Sequence, residues 1–442
     1  MSLPDRDYLG LEEVGAHIGD CTLWESYGKV VHLVGNMIEV QGLRAAVGDI
    51  CKIYSPINPH PIYAQVVGFQ QKRLKLSPLT PLNGIQPGCL TQLHQQADFV
   101  SVNPGLLGRV LDGLGQPIDG KGPLPPGIPY SLSGSVSNPL HRPLIEEQLD
   151  LGVRCINGLL PIGKGQRMGI FAGSGVGKST LLGMMARYTA ASVNVIALIG
   201  ERGREVNEFL YNELGEQGME RSVIIVATSD QPATVRLRGA FMACAVAEYF
   251  RDLGQDVLLM MDSITRFAMA AREIGLAAGE PPTTKGYTPS VFSQLPLLLE
   301  RAGNFEKASI TGIFTVLVEG DDLEDPVADT VRSILDGHIV LDRKLANNRH
   351  YPSIEVLKSV SRLTGRLQKG EHKACATKFI QTLAHYRNSE DMIRIGAYVR
   401  GSHGETDYAI GMIEKLNAYL QQPVEECCSI EEAQRALKAL FT

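Results

Sequence analysis

The sequence predicts a parallel α/β sheet with helices on both faces, preceded by a small β-barrel and followed by a helical domain. Three observations predict this fold class. Nearly continuous apolar runs alternate with helix-like segments between about residues 150 and 365, as strands buried on both faces do. A glycine loop joins one of those strands to a helix, at Gly173 to Lys178. Short β-like runs crowd the chain before about Leu90, and strand texture stops beyond about Gly365. The expected division is therefore a barrel over 1–91, a core over 92–364 and a helical domain over 365–442.

In chain order, residues 1–20 are weakly amphipathic (Leu9, Leu11, Val14, Ile18) and read as a short helix or an assembly arm. From Cys21 to about Leu90 the β-runs are Gly28–Val34, Met37–Val40, Asp49–Ile53 and Ile62–Gly68, with turns at Gly35-Asn36, Gly48-Asp49 and Asn83-Gly84. Closely spaced short strands suggest a small barrel. It carries no cluster of ionisable groups, so its expected role is assembly. The stretch Gly105–Gly120 is dense in glycine and turn pairs, and Lys121–Pro143 reads as an extended Pro/Gly/Ser connector. Apolar strands are expected at Met168–Phe171, Asn194–Gly200, Ser222–Ala227, Asp256–Asp262 and Ile310–Val318. Glu205–Leu214 and Thr234–Leu253 read as helices, the second with Ala240, Cys244 and Ala247 on one stripe. Thr377–Tyr386 and Asp407–Leu420 are amphipathic helices of the last domain.

Composition bounds the function. The chain has 442 residues, enough for two or three domains, and its 44% hydrophobic and 20% charged content is that of an ordinary globular protein. A net charge of −6 and a single tryptophan, Trp24, argue against nucleic acid as the main partner. The start, Met1 to Asp7, lacks a basic and then apolar signal region, and no apolar run approaches a membrane span, so a cytoplasmic protein is expected. Of the eight cysteines (Cys21, Cys51, Cys89, Cys155, Cys244, Cys375, Cys427 and Cys428), none is spaced as CxxC, and they read as free thiols. Only the adjacent Cys427-Cys428 pair invites a redox reading.

The chemistry starts at Gly173-Ser174-Gly175-Val176-Gly177-Lys178-Ser179-Thr180. Strand, glycine loop, Gly-Lys-Ser and helix form a phosphate-binding loop. Glycines let successive N–H groups point at phosphate oxygens, and the helix start adds partial positive charge. Lys178 would reach the β- and γ-phosphates, and the Ser179 hydroxyl would hold Mg²⁺. The first glycine of the usual pattern is Ala172 here, a small residue that fits. The bland reading is a glycine turn with a solvated lysine, which the strand and helix context disfavours. Asp262 ends an apolar strand, where a parallel sheet places its ligand, and can hold Mg²⁺ through water; otherwise it is a helix N-cap. Gly200-Glu201-Arg202-Gly203-Arg204-Glu205 follows another strand. Glu201, the first acid off that strand, is the candidate to orient the attacking water, and Arg202 could stabilise or relay charge. The alternative is a solvated charged turn. Arg362 alone would be an ordinary arginine, yet phosphoryl transfer often uses an arginine finger from a neighbouring subunit. Tyr351, fixed before Pro352, is a candidate adenine platform or a core tyrosine.

The loop, Ile199–Glu205 and Leu258–Ser263 together resemble the catalytic subunits of rotary ATPases, with their RecA-like P-loop core. Gly105–Gly113, Gly279–Phe292 and Ile334–Leu341 narrow the likeness to the type III protein-export ATPases, and within them to the flagellar group. The resemblance runs from about residue 25 to the C-terminus. It implies an Mg²⁺-dependent ATPase working as a homohexameric ring that energises export of flagellar proteins. It makes Lys178 and Ser179 the phosphate and Mg²⁺ residues, Glu201 the catalytic carboxylate and Asp262 the acid of the metal-binding strand. Arg362 becomes the finger that reaches a neighbour's site, and Tyr351 the aromatic that stacks on adenine. Glu280–Tyr287 would face a central channel. The implied partners are stator and stalk proteins, the export gate, secreted substrates and their chaperones, with peripheral membrane association. Competing readings are the ATPase of a virulence-type injection apparatus, a proton-translocating rotary subunit, an RNA translocase and a non-catalytic scaffold.

Overall fold

The computed structural model describes residues 26–95, 99–134, 138–318 and 325–442; the expected arm over 1–20 and Cys21 lie outside them. The chain divides into two compact units, Met1–Ala97 and Asp98–Thr442.

The first unit is a closed barrel. Its strands β1 (Tyr27–Val34), β2 (Met37–Gln41), β3 (Ile50–Tyr54), β4 (Ile62–Gln70), β5 (Arg73–Pro78) and β6 (Leu90–Gln95) close in the order β1-β2-β5-β4-β3-β6. Every pairing is antiparallel. Alternation does the sorting. In β4, Ile62, Ala64 and Val66 point inward while Tyr63 and Gln65 are only partly covered. Val30, Ile38, Val40, Cys51, Ile53, Leu74 and Leu76 complete the interior. Side chains of this size pack a six-stranded barrel as an apolar core.

The second unit opens with β7 (Phe99–Val102), β8 (Val110–Asp112) and β9 (Ile128–Ser131). Two of these correct the reading of this region as turns and connector. β8 joins the edge of the main sheet beside β12 (Ser222–Ala227), and β9 pairs antiparallel with β7. The Arg109–Asp119 ion pair closes the glycine-rich turn behind β8, with Nε to Oδ2 at 2.7 Å and Nη2 to Oδ1 at 3.0 Å.

The main sheet has the order β17-β16-β10-β15-β13-β11-β12-β8. Here β10 is Arg167–Ala172, β11 Val193–Ile199, β13 Val257–Asp262, β15 Ser309–Leu317, β16 Gly337–Leu341 and β17 Val360–Ser361, and the two-residue β14 (Gly303–Asn304) pairs antiparallel with β15 off this order. The pairings from β8 to β16 are parallel. Every residue of β11, β12 and β13 is buried, which is why these strands read as unbroken apolar runs. One set of alternate residues, including Met168, Ile170, Ile196, Leu198 and Met260, packs beneath the helix that follows the glycine loop. The other set, including Val195, Ala197, Ile225 and Leu259, faces the opposite side, where the long helix Ala233–Asp252 lies on β11 and β12. Small residues at Ala240, Cys244 and Ala247 let that helix approach closely. Glu205–Leu214 is not one plain helix. An α-helical turn, Gly203–Glu208, gives way to a π-helical turn, Phe209–Leu214.

Three helices close the chain, Gly370–Arg394, Gly404–Leu420 and Ile430–Ala439. Phe379, Leu383, Leu416, Tyr419 and Leu437 belong to the same apolar cluster as Ile156 and Leu159 beneath the sheet. Among the described residues no cysteine is in a disulfide, and no helix is long and apolar enough to cross a membrane.

Candidate active site

The parallel strands deliver three ionisable groups to one edge. β10 ends at Ala172, the loop follows, and Lys178 opens the helix Lys178–Tyr188. Gly175 and Gly177 have φ of +74° and +88°, a region open to glycine at little cost. A side chain at Gly177 would also meet the Tyr351 ring at 3.4 Å. Ser353 secures the loop from below, its hydroxyl donating to the Val176 carbonyl at 2.6 Å.

β11 and β13 are neighbours, with Leu198 level with Asp262, so Glu201 and Asp262 emerge side by side. Lys178 Nζ lies 2.5 Å from Asp262 Oδ1 and 3.4 Å from Glu201 Oε1. Thr315 on β15 donates to the same Asp262 oxygen at 2.7 Å. Burial works against the Lys178 ammonium, and the Asp262 and Glu201 charges outweigh it, holding its pKa above the usual lysine value. Burial, with the Asp262 charge beside it, pushes the Glu201 carboxyl up to about 7. Asp262 is not the N-cap of the next helix, Ile264–Ala278. That role falls to Ser263, whose hydroxyl accepts from the Arg266 N–H.

Lys178 and Glu201 line a cleft of about 1410 Å³, together with Gly173, Ser174, Ser179, Thr180, Arg202 and Tyr351, and Asp262 is buried behind Lys178. Ser179 is exposed to the cleft, and the Thr180 hydroxyl donates to Glu213 at 2.9 Å on the π-helical turn. The Arg202 side chain is 75% exposed at the mouth and only loosely paired with Glu205, at 3.8 Å. Tyr351 is half-exposed on the wall next to the loop. Arg362 is the candidate that the fold does not bring here. It is exposed just after β17, outside the cleft of its own chain, with its guanidinium 3.4 Å from the Arg332 carbonyl.

Several lining residues went unread in the sequence, among them two sets that add polar groups. Arg266 and Arg272 enter from the helix after β13, Arg266 with a buried Nε that has no hydrogen-bond partner among the described residues. Gln422 and Val424 arrive from the C-terminal helical region. A basic residue one turn after Asp262-Ser263 was a usable signal for Arg266; nothing local marks Gln422. Among the described residues no cluster of three or more His, Cys, Asp or Glu side chains could hold a metal. A hydroxyl and one carboxylate, Ser179 and Asp262, nevertheless suit Mg²⁺, which commonly keeps waters and takes phosphate oxygens as further ligands.

Residues 152–361 match the ATP synthase alpha/beta family nucleotide-binding domain, and residues 369–439 match the T3SS EscN ATPase C-terminal domain. The flagellum-specific ATP synthase of Bacillus subtilis (strain 168) is 54% identical over 419 residues, covering 94% of this chain and 95% of the relative. The assembled ATPase EscN from the type III secretion system of enteropathogenic E. coli superposes with a TM-score of 0.89 at 44% identity, over 94% of this chain and 100% of EscN. EscN in complex with its central stalk EscO gives 0.86 at 43% identity, with the same coverage. A cleft over a glycine loop with two carboxylates at the strand ends, and likeness along nearly the whole length, place this chain in the ATP synthase alpha/beta family, among the flagellum-specific and type III secretion ATPases.

Proposed function

We propose that this chain hydrolyses ATP to ADP and phosphate in a ring of six copies, and so energises type III export of flagellar proteins. The observation that carries the reading is Lys178 held between Glu201 and Asp262 beside the glycine loop. A triphosphate entering the loop competes for Lys178. As the ammonium turns to the β- and γ-phosphates, both carboxylates lose their counter-charge. Ser179, and Asp262 through water, would hold Mg²⁺, which would supply positive charge against the phosphates. Glu201 orients water in line with the γ-phosphate and accepts its proton, a task suited to a carboxyl with a raised pKa. Tyr351 stacks on the adenine. Gly173, Ser174, Gly175, Val176, Gly177 and Thr180 cradle the phosphates.

Arg362 completes the site of the adjacent copy, because its exposed position cannot serve its own. Arg202, at the mouth, adds positive charge on the same side as Glu201. The division of labour we propose is a collar over 1–91, the ATPase core over 92–364 and a helical domain over 365–442 that faces the export gate. A stalk protein, as in the EscN–EscO complex, stator proteins, and secreted substrates with their chaperones would be the partners, at the inner face of the cytoplasmic membrane. The test is ATPase rate against protein concentration. A rate per chain that rises cooperatively supports the ring, and a dilute single chain as fast as the concentrated one overturns it.

The 44% identity to EscN over the whole EscN chain favours one second reading, export through an injection apparatus. The same residues would act. The readings part in cells lacking either ATPase: restored swimming assigns the flagellar system, and restored effector secretion the other.

A further inference from the structure

Gln422 makes four hydrogen bonds beside the Tyr351 wall of the cleft, and no step of hydrolysis uses it. It is 4% exposed in the strap between the helices Gly404–Leu420 and Ile430–Ala439. Its backbone N–H donates to the Tyr351 carbonyl at 3.0 Å. Its side-chain oxygen accepts from the Arg154 N–H at 2.7 Å, and its amide donates to Gly152 O at 2.8 Å and Glu426 O at 2.7 Å. Two residues on, the Val424 carbonyl accepts from Arg187 at 3.0 Å and from the Tyr188 hydroxyl at 3.1 Å, both in the last turn of the phosphate-loop helix. One short strap thus joins the aromatic wall, the loop helix and the C-terminal helices.

We propose that Gln422 is a positioning residue that holds the Tyr351 wall for the base and ties base occupancy to the C-terminal helices. The inference rests on the nucleotide reading of the cleft. The physical case is that a buried primary amide with its polar atoms engaged has little room to move unless its partners move too. The Tyr351 backbone cannot shift toward a base without pulling on the strap through its carbonyl. A ligand that fills only the phosphate loop sits at the opposite end of the loop helix from Arg187 and Tyr188, and reaches the strap less directly than one that also rests on Tyr351.

The test uses the full-length chain with two probes, ADP, which has a base, and inorganic pyrophosphate, which has none. Gln422→Ala weakens ADP binding about tenfold, as loss of one to two net hydrogen bonds would, and leaves pyrophosphate within about twofold. Gln422→Glu keeps the shape and the acceptor for Arg154 but sets an acceptor against the Gly152 and Glu426 carbonyls. It weakens ADP and spares pyrophosphate in the same way, and its thermal melt shows whether the fold is intact. In the wild type, ADP slows amide exchange over 421–428 and pyrophosphate does not. Unchanged ADP affinity in both variants overturns the role of Gln422, as does a parallel loss of both ligands or an exchange pattern blind to ADP. A wild-type chain that takes pyrophosphate but not ADP overturns the nucleotide reading itself, and this inference with it.

Discussion

Lys178 stands in a field of two carboxylates before any phosphate arrives, and that field sets what each residue can be asked to do. Asp262 holds the shorter contact and also takes the Thr315 hydroxyl, so it is the better anchored of the two. Glu201 is further from the ammonium, at 3.4 Å, and its raised pKa makes it the readier proton acceptor. Removing the charge of Glu201 while keeping its shape therefore separates binding from turnover. Glu201→Gln should leave the ATP dissociation constant within about threefold and lower kcat by about 10²–10⁴, the usual span for a lost general base. Equilibrium binding and steady-state rates on the same preparation check this, and a kcat near wild type would remove Glu201 from its role. That Lys178, Glu201 and Asp262 would meet was legible in the sequence because each sits in, or just off the end of, its own strand-end motif. Arg266 was missed although its place one turn after Asp262-Ser263 marked it. Gln422 was not legible, because it lies more than two hundred residues from the loop and meets the cleft only through tertiary packing.

Among the elements, those buried on both faces were easiest to read, since burial makes the strand itself the signal. β8 was hidden because a three-residue strand amid glycines carries no periodicity, and its place at the sheet edge depends on the turn behind it. That turn is fastened by Asp119, which accepts from the Arg109 guanidinium and from the Val110 and Lys121 N–H groups. The Arg109 hydrogen bond holds the Asp119 carboxyl well below the usual carboxylate range, against the opposing effect of burial. A depressed pKa means that the native state favours the ionised form. Its contribution is present above the unfolded pKa of about 4 and is lost as pH falls below it. Asp119→Asn should lower Tm by several degrees at pH 7 and by progressively less toward pH 3, as read by thermal melts across pH; equal loss at both ends would rule out the ion pair as the cause. A second element rests on the absence of a side chain. A Cβ at Gly158, in the short helix Arg154–Leu159, would lie 1.9 Å from the Tyr419 hydroxyl, which donates to the Ala433 carbonyl at 3.0 Å. Gly158→Ala should cost about 1–3 kcal/mol by overpacking, measured by denaturant unfolding, and Tyr419→Phe in the same chain should recover part of it.

For the whole molecule, the order barrel, sheet, helices was legible because each texture has its own period. The sharing of one apolar cluster between sheet and C-terminal helices was not, since no local pattern says which faces meet. Assembly is less legible still, and Arg362 is where it becomes testable. A lone chain carries Lys178 inside the cleft and Arg362 outside it, so the two cannot meet within one copy without rearrangement. If a neighbour supplies the guanidinium, Lys178→Ala and Arg362→Ala damage different halves of a site that forms between copies. Each alone should be nearly inactive, Arg362→Ala by about 10³–10⁵ in kcat, the range for lost arginine fingers. In an equal mixture that assembles at random, a seam is whole only when an Arg362→Ala copy lends its lysine and a Lys178→Ala copy lends its arginine. That combination arises at about a quarter of the seams in a closed ring, so the mixture should recover up to about 25% of the wild-type rate. The assay is ATPase rate against mixing ratio, with a maximum expected near equal parts. A mixture no better than its components at every ratio, under conditions where size measurements confirm co-assembly, would place Arg362 outside the neighbouring site.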